Sequence, residues 1–151
     1  MLILPNKIDA TIVDEATGVS LGADILVALR LLVARQVYYA DVMGLTDRDG
    51  QVVLTREQLE HKFRENQKAF PMDYRIPLVD CDPAFRIVVP GGADFVEMQR
   101  QVADTRWVAP DVRATYERAQ NVQFNTTAQQ VDVTGVATDV LRIAVPVTRR
   151  L

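Results

Sequence analysis

The stretch Asp14-Glu15-Ala16-Thr17-Gly18-Val19-Ser20-Leu21-Gly22-Ala23-Asp24-Ile25 decides how this chain is read. Upstream of it, residues 7–14 alternate, with Ile8, Ala10 and Ile12 on one side and Asp9, Thr11 and Val13 on the other. A period of two with β-branched residues is strand patterning, because successive side chains point to opposite faces. Residues 15–18 carry turn chemistry, and Gly18 supplies a positive φ where one is required. Downstream, residues 23–33 place Ile25, Val27, Leu29, Leu31 and Val33 on one face. The opposite face, Leu26, Ala28, Arg30 and Leu32, is largely apolar too. Leu, Ala and Arg are good helix formers, so composition alone permits a helix here. The turn before the run and the segment after it favour a strand. An apolar strand of this kind implies cover on both sides, from added helices or from another subunit.

Residues 36–45 hold Val37, Tyr38, Tyr39, Val42 and Met43 and read as a further strand. Asp47-Arg48-Asp49-Gly50 is a turn by residue chemistry, and residues 51–55 form a short strand after it. The period then changes. Thr55-Arg56-Glu57-Gln58 is a capping box, which opens a helix over residues 56–70 with Leu59, Phe63 and Phe70 as its narrow apolar stripe. Glu60 and Arg64 stand at i and i+4 on its wet face, and Pro71 ends it. This helix is expected to cover an edge or end of the sheet. Strands resume at 74–79 and 85–89. A second helix is expected over 93–103, with Phe95, Met98 and Val102 inward, and a third over 110–120, with Val112, Tyr116 and Ala119 inward. Pro110 suits the first turn of the third helix. The tail returns to strands at 122–126, 130–136 and 140–147, the last alternating Leu141, Ile143, Val145 and Val147.

The opening stretch resembles the "D-x-x-T-G-x-P-L-x-G-A-x-V" signature of carboxypeptidase-regulatory-like and other transthyretin-like (prealbumin-like) domains, with Ser20 where the family usually has proline. Thr46-Asp47-Arg48-Asp49-Gly50-Gln51-Val52 is similar to that family's "T-D-x-x-G-x-[VF]" turn. The two cover the first third of the chain. The resemblance implies a mainly β, prealbumin-like β-sandwich, here elaborated with two or three short helices. It says little about activity, because one fold hosts many functions. Two enzyme families of similar fold are tested directly by residue count. Hydroxyisourate hydrolases use several histidines and a C-terminal Tyr-Arg-Gly-Ser, whereas this chain has one histidine, His61, and ends Arg149-Arg150-Leu151. Intradiol dioxygenases hold iron with two tyrosines and two histidines, which one histidine cannot supply.

Bulk properties narrow the classes further. The chain has 151 residues, 48% hydrophobic and 25% charged, a globular mixture that fits a single domain over 1–151. Its net charge of −3 argues against a nucleic-acid surface, which needs clustered Lys and Arg. The longest apolar run, residues 25–34, is interrupted by Arg30 and is far below the roughly 20 residues that span a bilayer. The apolar start at residues 1–7 is too short for a secretory leader, and a single cysteine, Cys81, forms no internal disulfide, so a cytoplasmic location is expected. Asn125-Thr126-Thr127 matches the glycosylation pattern only formally in that setting.

The remaining polar residues are best taken singly. His61 lies on the exposed flank of the capped helix and reads as a surface histidine. The carboxylates of Asp80 and Asp82 flank Cys81 and disfavour its thiolate, so it reads as structural. An EF-hand-type loop starting at Asp47 would need glycine at its sixth position and a carboxylate at its twelfth, where Val52 and Gln58 stand. Glu57, Glu60 and Glu65 form a solvated helix face. No catalytic, cofactor or metal site is assigned. Trp107, Tyr38 and Tyr39 are the candidate contacts for a partner or ligand, with Trp107 in an inter-helix loop that either plugs the core or anchors a partner. The expected function is a non-enzymatic protein–protein interaction or assembly module, self-associating or part of a larger complex. The alternative is a carbohydrate- or small-ligand-binding sandwich, with Tyr74 and Tyr116 joining the three aromatics. An enzyme would need distant polar residues such as Asp80, Arg86 and His61 to converge in one pocket.

Overall fold

The computed structural model describes residues 5–33, 40–68, 83–91, 95–96, 98–100, 110–119, 122, 124, 130–133, 135–136 and 138–149. In chain order these form β1 (Lys7–Asp14), β2 (Leu26–Val33), β3 (Ala40–Leu45), β4 (Gln51–Thr55), α1 (Arg56–Gln67), β5 (Pro83–Val88), α2 (Pro110–Arg118), β6 (Gln130–Asp132) and β7 (Val140–Val147). Residues 95–96 and 98–100 are also helical. The strand expected over 74–79 lies outside the described residues. The fold is mainly β, and the described strands make two sheets, β4-β1-β7 and β3-β2-β5-β6.

The two sheets bury one shared core. From the three-stranded sheet come Ile8, Ala10 and Ile12 of β1, Val52 and Leu54 of β4, and Val145 and Val147 of β7. From the four-stranded sheet come Val27, Leu29 and Leu31 of β2, Val42 of β3, and Phe85 and Ile87 of β5. Each is an alternate residue of its strand, as the period-two patterning of residues 7–14, 25–33 and 140–147 expects. Burying each aliphatic side chain stabilises the fold by about 1.5–3 kcal/mol. Gly44 of β3 has no side chain where Val52 of the opposing sheet comes close; a Cβ there would lie 2.6 Å from the Val52 Cγ2.

Side chains from outside the strands enter the core at both flanks of the sandwich. Thr55 caps α1 as expected: its Oγ1 accepts the Gln58 N–H at 3.2 Å, and Gln58 Oε1 accepts the Thr55 N–H at 3.0 Å. The helix packs against β3 and β4, an edge strand of each sheet, and inserts Leu59 and Phe63 into the inter-sheet core. Glu60 pairs with Arg56, one turn before it, at 2.9 Å, rather than forming the Glu60–Arg64 pair that spacing alone suggests. On the other flank Phe124, fully buried, donates its N–H to Pro90 O and bridges to Arg149 just beyond β7. Gly91, at φ +115°, brings its backbone against the Phe124 carbonyl. Of the strand expected over 122–126, only this isolated bridge lies among the described residues.

The outer face of the four-stranded sheet is also covered. Leu26, Ala28 and Val88 pack there against Phe95 and Met98 of the helical segment, with Met43, Leu45, Tyr116 and Ala119 around them. A hydrogen bond from Gln99 Nε2 to the Tyr116 Oη, 2.9 Å, ties that segment to α2. Added helices therefore cover the second apolar face of β2.

Candidate docking surface

The two sequence stretches with turn chemistry meet at one end of the sandwich. Asp14 Oδ1 accepts the Ala16 and Thr17 amides, closing the first turn on itself. Asp47 Oδ1 does the same for Asp49 and Gln51. Ser20 Oγ then donates to Asp49 O at 2.6 Å, joining turn to turn. The inner clamp is Thr46, 3% exposed, whose Oγ1 donates to Gly22 O at 2.7 Å and accepts the Ile25 N–H at 3.0 Å. Gly50, at φ +74°, takes a backbone shape that L side chains rarely adopt, and a Cβ on it would strike Ser20 Oγ. The carboxylates of Asp14 and Asp47 are thus engaged in shaping turns, as a turn reading of the Asp47 loop expects. Among the described residues no group of three His, Cys, Asp or Glu is placed to hold a metal ion.

Among the described residues Arg30 is the one charged side chain that is fully buried, at 1% exposure on the roofed face of β2. Register explains how the sheet carries it. Arg30 stands opposite Asp41 of β3 on one side and Arg86 of β5 on the other, and Arg86 stands opposite Asp132 of β6. The row across the sheet therefore reads acid, base, base, acid.

The three-stranded sheet contrasts with this. Its outer face carries Lys7, Asp9, Thr11 and Val13 of β1, Gln51 and Val53 of β4, and the even residues of β7. Register aligns Val53, Asp9 and Arg142 in one row, and Gln51, Thr11 and Ala144 in the next. Val53 is 45% exposed and Val140 40%. The edge of this surface is defined by β7. Because Glu15 N–H donates to Val147 O in the parallel ladder with β1, the odd residues of β7 direct their backbone groups to β1 and the even ones direct theirs away. Pro146 therefore places its missing N–H on the outward edge, a position where proline costs no ladder bond and discourages indiscriminate strand pairing.

Of the residues singled out from sequence, His61 is exposed on α1, as expected. Tyr116 packs in the roof and accepts a hydrogen bond from Gln99, so its ring is engaged in packing. Trp107, Tyr38, Tyr39, Tyr74, Asp80, Cys81, Asp82 and Asn125 lie outside the described residues. Sequence reading did not single out Val53, Val140 or Arg142. The signal was present in the alternation of residues 140–147, but which side faces outward depends on the sheet partner.

No protein-family model matches the chain, and no curated protein matches it. Among solved structures, a 9R-lipoxygenase from Cyanothece PCC8801 aligns with 94% of this chain at 13% identity and a TM-score of 0.39. This chain covers 16% of that protein's length. A likeness of that size carries no argument about activity. Among the described residues no helix is long and apolar enough to cross a membrane.

Proposed function

We propose that this protein is a non-enzymatic assembly module of transthyretin-like build, which docks a protein partner, in the first instance a second copy of itself, on the outer face of its three-stranded sheet. The observation that carries the proposal is the asymmetry of cover. Helices roof the outer face of β3-β2-β5-β6, whereas β4-β1-β7 presents Val53, Val140, Ala144 and Pro146 to solvent around a central Asp9–Arg142 row. That mixture of exposed apolar and charged residues is the composition of a non-obligate interface. The transthyretin-like build rests on the two turn stretches, which the Ser20–Asp49 and Thr46–Gly22 hydrogen bonds hold together.

The size of the face sets the expected strength. Three strands about 4.8 Å apart, with β1 and β7 eight residues long at about 3.3 Å each, project roughly 14 by 26 Å, or about 370 Å². A standard interface buries about 800 Å² per partner, so association through this face is expected to be weak and concentration-dependent. Sedimentation velocity from low to high micromolar chain tests it. The expected result is a rising average mass, abolished by Ala144→Glu, which puts a charge midway along β7, beside Thr11 of the central strand, while leaving the core untouched. A mass equal to one chain throughout, or a wild-type-like rise in the variant, would overturn the proposal.

A further inference from the structure

We draw no further inference here: the strongest candidate, the buried guanidinium of Arg30, opposite Arg86 in the register of the four-stranded sheet, lies within the packing under the helical roof, and nothing among the described residues shows a ligand aimed at it.

Discussion

Replacing Thr46 by valine removes a hydroxyl that serves two backbone groups at once, with almost no change in side-chain volume. The Ile25 amide loses its 3.0 Å acceptor in a position closed to water, and the half-buried Gly22 carbonyl loses its 2.7 Å donor. Leaving a buried amide unsatisfied costs about 1–3 kcal/mol, and the second hydrogen bond is worth about 0.5–1.5 kcal/mol net, so Thr46→Val is expected to lose about 2–4 kcal/mol. Thr46→Ser is the control. It keeps the hydroxyl and removes one methyl, at about 0.8 kcal/mol. Equilibrium urea unfolding followed by circular dichroism reads both, with the midpoint shifted and the slope unchanged if the native contacts alone are affected. In thermal unfolding the valine variant should melt roughly 4–16 °C lower, at about 2–4 °C per kcal/mol for a chain of this size. The reasoning fails if Thr46→Val lies within about 0.5 kcal/mol of the wild type, a difference too small for two lost bonds, or if the serine variant is the less stable of the two.

Two glycines separate backbone cost from collision. Gly18 (φ +73°) and Gly50 (φ +74°) share a backbone shape, but only Gly50 has Ser20 Oγ in the way of a Cβ. Alanine at Gly18 should cost about 1–2 kcal/mol, the penalty of the left-handed conformation, and alanine at Gly50 distinctly more; equal losses in urea unfolding would show that the two turns are not packed as described. Thr55→Ala should lower stability by about 1 kcal/mol through loss of the α1 cap, whereas Thr55→Ser should be nearly neutral, and parity between the two would remove the cap from the account. Lys68 hydrogen-bonds Glu65 at 2.8 Å and holds its carboxyl below the usual carboxylate value, first through that hydrogen bond and then through its charge. A depressed folded value favours the native state above the ordinary carboxylate range, and that contribution disappears as the pH falls through the folded value. A ¹³C-detected titration of Glu65 should therefore show a low midpoint that rises toward the ordinary value in Lys68→Ala, with His61 and Arg64 still holding it down, and an unmoved midpoint would rule out the pairing.

Local features of this fold are legible in the amino-acid sequence alone. The alternation of Ile8, Ala10 and Ile12, the Asp-rich turns, and the Thr55–Gln58 capping box each depend on residues within one turn or one strand of each other. Such features follow from side-chain periodicity and short-range hydrogen bonding, and all three appear where expected. The apolar second face of β2 likewise implies that something must cover it. What covers it is not readable, because the choice between the helices of this chain and another subunit depends on where distant segments fold back. The α1 ion pair shows the same limit on a smaller scale: Glu60 stands within reach of both Arg56 and Arg64 by spacing, and the packed helix selects Arg56.

Periodicity and turn chemistry along the chain are enough to establish that it is mainly β, that turns fall at residues 15–18 and 47–50, and that a capped helix begins after residue 55. Folding over a distance sets β7 parallel to β1, more than a hundred residues away in the chain, with Lys7 beside Val140 and Asp14 beside Val147. That pairing makes β1 a central strand and turns Val140, Arg142, Ala144 and Pro146 outward together. Long-range pairing likewise buries Arg30 in register with Arg86. The physical reason is common to both. Alternation tells which residues share a face, since the period of two is a property of one strand. Which face meets the core, and which strand lies alongside, are set by long-range backbone pairing and by the burial it allows, and neither is encoded in any short stretch of residues.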